Sequence, residues 1–203
     1  MMVFYHPPEH DAEALRQDLL FMAVEDDDVD EMKSLVAQGA NARAVDVYGK
    51  PLIARAVESN AIGAFGYLIE LGLSDSFGEL LIKAAGLGHL ELVKMLLRLS
   101  ASPDPRDGGG WTPLMHAALE GETAIAEVLF AHGADVNTTD DTGATALIHA
   151  AVFGKVETIA VLLEHGARVD ARDREGRTAL DWAIENEHSA AVILLREAGT
   201  EIG

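Results

Sequence analysis

The chain has no cysteine. Disulfides and thiolate metal sites are therefore excluded, and the absence suits a reducing interior better than a secreted setting. No run of 18 apolar residues occurs, so no membrane-spanning helix is expected. The first twenty residues lack the apolar core of a secretory signal and carry His6, Pro7, Pro8, Glu9 and Asp11 instead. No linker rich in proline, glycine and serine separates two halves. Cations are scarce: 15 Lys and Arg stand against 34 Asp and Glu, for a formal charge of −19. Binding to nucleic acid through phosphates needs a basic patch and is disfavoured. The expected setting is the cytoplasm, away from membranes.

The motifs of catalysis are missing too. There is no Gly-x-Ser-x-Gly, no His-Glu-x-x-His and no cysteine nucleophile. Gly108-Gly109-Gly110 lacks the Lys-Ser/Thr that completes a phosphate loop. Eight histidines invite a metal reading. Yet His116 and His149 sit one repeat apart, and stacked helices lie about 8–10 Å apart, too far for both imidazoles to reach one zinc at about 2 Å each. The same slot holds Arg55, Lys83 and Trp182, which suits a long side chain packed between helices. No enzyme activity, cofactor or metal is expected.

What the chain does have is a repeat of 33 residues. Trp111-Thr112-Pro113-Leu114-Met115-His116-Ala117-Ala118 returns as Ala144-Thr145-Ala146-Leu147-Ile148-His149-Ala150-Ala151, and more weakly as Arg177-Thr178-Ala179-Leu180-Asp181-Trp182-Ala183-Ile184. His132-Gly133-Ala134-Asp135 is matched by His165-Gly166-Ala167-Arg168. Such a period means stacked units that bury their apolar faces against their neighbours. Thr112, Thr145 and Thr178 are placed to cap a first helix, and Pro113 to open it without costing a hydrogen bond. Gly88, Gly121 and Gly154 suit a turn with positive φ. A terminal glycine slot runs through Gly39, Gly72, Ser100, Gly133, Gly166 and Gly199, with helix stops expected at Gly133 and Gly166.

These residues resemble the ankyrin repeat: Asp-x-x-Gly-x-Thr-Pro-Leu, paired alanines, a turn glycine, Leu-Leu, then Gly-Ala-Asp-x-Asn. The match is close from Asp107 to Asn137 and renews at Asp140-Asp141-Thr142-Gly143 and Asp173-Arg174-Glu175-Gly176. The expected fold is an all-α solenoid of about six helix-turn-helix units with short β-hairpin connections. The units are roughly 11–39, 40–72, 73–100, 101–133, 134–166 and 167–203, in one domain over 11–203 after a mobile tail at 1–10. About five residues are missing between Gly72 and Leu80 relative to later units, so the hairpin there should be absent or cut short. In the last unit Glu187 replaces the turn glycine and Thr200-Glu201 replaces Ala-Asp, as in a cap that faces water.

The resemblance implies a non-catalytic module that binds another protein through its hairpin tips and a concave groove of first helices. Mapped by frame, that surface includes Tyr48, Leu87, Trp111, Leu119, Glu120, Asp141, Thr142, Val152, Phe153, Arg174 and Arg177. Tyr48, Leu87, Trp111, Leu119, Val152 and Phe153 would form an apolar stripe, with Trp111 free of structural duty. The alternative is that Leu87, Leu119 and Val152 pack inward. Arg172, Arg174 and Arg177 form the one basic cluster, unless Asp170, Asp173 and Glu175 neutralise it. Asp26, Asp27 and Asp28 fall in the first unit's turn, as a solvated cap with Asp28 opening the next helix, or as a dock for a basic protein. A second functional reading is an acidic inhibitor of a basic enzyme, in the manner of an immunity protein or antitoxin. The chain alone is expected to be a monomer.

Overall fold

The computed structural model describes residues 9–73 and 76–200. Its chain divides into two compact units, Met1–Asp75 and Ser76–Gly203. In the first, α1 (Glu9–Glu25) pairs with α2 (Val29–Ala37), and α3 (Leu52–Glu58) with α4 (Ile62–Glu70); α1 packs on α3 and α2 on α4. In the second, four more pairs follow: α5 (Phe77–Gly86) with α6 (Leu90–Arg98), α7 (Pro113–Glu120) with α8 (Thr123–Ala131), α9 (Ala146–Val152) with α10 (Val156–Glu164), and α11 (Ala179–Glu185) with α12 (Ser189–Thr200). There α5, α7, α9 and α11 stand side by side as one row, and α6, α8, α10 and α12 as another. The all-α repeat solenoid expected from the sequence is the fold observed.

Small residues make the first row. Ala84, Ala85, Ala117, Ala118, Ala150, Ala151 and Ala183 are fully buried. A methyl group there lets short helices approach closely enough to exclude water. The second row carries bulk. Leu96, Leu129, Leu162 and Leu195 are fully buried, one per repeat, and Leu68 holds that place in the first unit. Burying one leucine stabilises by about 1.5–3 kcal/mol, so this column is a main source of cohesion.

The ends of the helices follow the sequence. Thr112, Thr145 and Thr178 each accept from the backbone N–H three residues on. Their φ and ψ are extended, as an N-cap requires. His132 and His165 turn Nδ1 onto the carbonyls of Val128 and Val161, at 2.9 and 3.0 Å.

The turn slot keeps its backbone shape when its residue changes. Gly88, Gly121 and Gly154 have positive φ, and so do Asp27, Asn60 and Glu187 in the matching places. A side chain in that region costs about 1–2 kcal/mol, and the stacking geometry outweighs it. The last glycine of the terminal slot behaves differently. Gly199 is not a helix stop, because α12 runs through it to Thr200.

The hairpins are small. Asp46, Asp107, Asp140 and Asp173 each donate a backbone N–H to the carbonyl four residues on, at 2.8–3.0 Å. Among the described residues the β content is two isolated antiparallel bridges, Val45 with Pro51 and Thr139 with Thr145. Between the units, α4 ends at Glu70 and α5 begins at Phe77, whereas α6 ends at Arg98 and α7 begins only at Pro113. Residues 74–75, where a hairpin was expected to be shortened, lie outside the described residues, as do 1–8 of the expected tail.

Candidate interaction surface

Each hairpin is held by one aspartate. Asp140 Oδ1 accepts from Thr142 N, Thr142 Oγ1 and Ala144 N at 2.6–3.0 Å. Its Oδ2 lies 2.9 Å from His149 Nε2 on α9. Asp107 repeats this with Gly109 N, Trp111 N and His116 Nε2. Asp173 does so with Glu175 N, Arg177 N and Trp182 Nε1. In the first unit Asp46 takes Tyr48 N, Lys50 N and Arg55 Nη2. The device ties a hairpin tip to the middle of the following helix. It holds the tip in one conformation.

The electrostatics agree. For Asp107, Asp140 and Asp173 burial works to raise the carboxyl. Hydrogen bonds to the ionised form outweigh it and hold each below the ordinary range. Asp46 is lowered first by the Lys50 backbone bond. His149 is pushed below the usual imidazole range by burial, against the pull of Asp140. The signal for these hubs was in the sequence. An aspartate stands nine residues before Arg55, His116, His149 and Trp182 alike. Sequence reasoning saw the long side chains as packing and missed their partners.

Adjacent tips are joined as well. Asp141 N donates to Gly109 O at 3.0 Å, and Arg174 N to Thr142 O at 2.8 Å. Arg106 Nη2 reaches Thr139 O at 2.6 Å.

On this frame the expected surface residues separate. Tyr48, at the tip in the first unit, is 83% exposed, and Val47 beside it 92%. In the second unit Leu87 and Phe153 are exposed, while Leu119 and Val152 are half-buried. Glu120, Asp141, Thr142 and Arg174 face solvent. Thr142, Val152 and Arg174 line one hollow of about 230 Å³, whose walls include Ile148, His149 and Trp182. A larger hollow of about 990 Å³, not foreseen from sequence, opens along Leu163, Val169, Leu180 and Leu195.

One expectation needs correction, and two stated alternatives separate. Trp111 is not free of structural duty. It is half-buried, with its ring 4.0 Å from that of His149 and 5.1 Å from that of His116. Arg177 is engaged by Glu175 and Glu185, and its guanidinium lies 3.4 Å from the centre of the Trp182 ring. Of the arginine cluster it is the neutralised member. The acidic turn is in part a cap. Asp28 accepts from Glu31 N at 3.0 Å, as expected. Asp27 accepts from Gly63 N and Ala64 N, at 3.2 and 2.6 Å, and so caps α4 of the next repeat.

Among the described residues no group of three or more His, Asp or Glu is placed to hold a metal ion, and no helix is long and apolar enough to cross a membrane. A family model described as ankyrin repeats in three copies matches residues 71–140 and 133–203. No curated protein matches the chain.

Proposed function

Since the chain belongs to the ankyrin-repeat family, whose repeats generally mediate protein–protein interaction, we propose that it is a non-catalytic module. It binds a partner protein with its hairpin tips and the exposed face of its first helices. The observation that carries this reading is the exposure of Val47 and Tyr48 together at a hairpin tip braced by Asp46. A fold that needs only an aspartate and a glycine there gains nothing from two large apolar side chains in water. Tyrosine is also over-represented among residues that dominate binding energy. Leu87 and Phe153 extend the reading to the second unit. The charge of −19 supports a partner with basic regions, approached faster through the long-range field. Inhibition of a basic enzyme draws on that charge alone, and capping already employs Asp27 and Asp28.

The test is capture from lysate by the immobilised chain, followed by mass spectrometry, beside a variant carrying Val47→Ser and Tyr48→Ser. The proposal expects one or more proteins retained by the parent and lost by the variant, at equal melting temperature. Identical capture by both would remove the tip from the interaction, and no capture by either would remove the reading.

A further inference from the structure

The hollow between the last two hairpins of the second unit has a chemistry of its own. Its floor is apolar, made by Ala144, Ile148 and Val152 with the rings of His149 and Trp182. The side-chain donors along its wall are already spent. Trp182 Nε1 donates to Asp173, His149 Nε2 meets Asp140, and Thr142 Oγ1 donates to Asp140. Glu175 at the rim is taken by Arg177. Arg174 differs: its backbone N–H is bonded to Thr142 O, but no carboxylate among the described residues lies within ion-pair distance of its guanidinium. The rim therefore offers, among the described residues, one guanidinium without an ion-pair partner, above a cavity whose side-chain donors are taken.

Size narrows the occupant. About 230 Å³ falls below the roughly 300–1,000 Å³ of small-molecule and cofactor sites. It suits one large side chain, anchored as buried hot-spot residues are. A sugar or phosphate would leave its polar groups unmatched on such a floor, at the usual cost of burying them unpaired.

We propose that this hollow receives one large apolar side chain of a partner protein, carried next to an acidic residue whose carboxylate pairs with Arg174. The inference rests on the protein-binding reading and deepens it by naming what the partner presents. The acid binds against the sign of the whole chain. That field is screened within about 8 Å at physiological salt, so the pair selects the partner at contact and does not steer it.

The experiment uses short peptides on the full chain, followed by the indole N–H signals in a ¹⁵N–¹H spectrum. The chain has two tryptophans, and Trp111→Phe assigns the Trp182 signal by subtraction. The probes are the blocked tetrapeptides Gly-Phe-Asp-Gly, Gly-Phe-Lys-Gly and Gly-Ala-Asp-Gly. The first should shift the Trp182 signal saturably. The lysine peptide should bind about two- to fivefold more weakly, the size of an exposed ion pair, and the alanine peptide should leave the signal in place. Arg174→Glu should reverse the order of the two phenylalanine peptides. Val152→Phe, with an unchanged circular dichroism spectrum, should fill the hollow and abolish the shift. Equal binding of the Asp and Lys peptides, an order unaltered in Arg174→Glu, or no saturable shift at all would overturn the proposal. If the peptides fail while the chain still captures a protein that Val47→Ser with Tyr48→Ser releases, only the hollow is lost. If both fail, the protein-binding reading falls with it.

Discussion

The indole of Trp111 lies against the imidazole of His149, one repeat further on, with ring centroids 4.0 Å apart and planes inclined by 36°. Asp140 holds that imidazole from its far end, and Asp107 anchors the backbone N–H of Trp111 itself. The contact therefore couples the hairpin of one repeat to the inner helix of the next. Solenoid stability is close to a sum of such nearest-neighbour terms.

Trp111→Ala should accordingly destabilise the chain. Aromatic pairs contribute about 0.5–1.5 kcal/mol beyond area burial, and loss of the half-buried indole adds to that. A shift in the urea midpoint equivalent to roughly 1–3 kcal/mol is expected. A change within about 0.5 kcal/mol, typical of surface positions, would mean the stack contributes nothing.

His149 should make stability depend on pH. Burial holds its imidazole below the usual value of about 6.5, partly opposed by Asp140 and reinforced by the nearby His116. The unfolded chain then takes up this proton before the folded one does. Stability is complete above about 6.5 and falls as pH drops from there toward the folded value. His149→Gln keeps a donor for Asp140 but cannot titrate. Urea midpoints at pH 7.5 and 5.5 should differ less in this variant than in the parent. Equal differences would place the pH dependence elsewhere. Asp140, lowered in the fold, adds its own loss only when pH falls below about 3.8.

The acidic turn should split by residue. Asp27→Gly keeps the positive φ of 56° without strain but removes the cap on α4. The loss of the cap should cost about 1 kcal/mol, offset in part by relief of the backbone. Asp26→Asn should stay within about 0.5 kcal/mol. Denaturation of the two variants side by side decides it. An equal effect would return the trio to one undifferentiated charge cluster.

Two turn glycines should answer differently to alanine. Both Gly154 and Gly166 have positive φ. At Gly166 an added Cβ meets nothing within 4 Å, but at Gly154 it would lie 2.6 Å from the His188 ring, which is bonded to Val152 O. Gly166→Ala should cost about 1–2 kcal/mol from the backbone alone. Gly154→Ala should exceed it by a further 1 kcal/mol or more, as overpacking does. Calorimetry of the pair would show it, and a smaller loss at Gly154 would contradict the close packing of His188.

The sequence by itself determined the architecture. A spacing of 33 residues repeats every local instruction together: cap, alanine pair, turn, leucine and stop. Local signals that agree leave one fold. It also marked the positions where residue type departs, such as Asn60 and Glu187, whose backbones nonetheless keep the turn. What only the tertiary structure decided is which side chains the fold consumes. Tyr48 and Trp111 look alike as aromatics beside a hairpin glycine, yet one stands in water and the other lies on two imidazoles. Asp26, Asp27 and Asp28 look alike as a charge run, yet two of them cap helices, one in a different repeat. Arg174 and Arg177 lie three residues apart, yet three acids claim Arg177 and, among the described residues, none claims Arg174. Periodicity fixes where a side chain starts. Its partner can belong to the neighbouring repeat, as for Asp27 with α4 and Trp111 with His149, and that distance is a property of the stack that no single unit encodes.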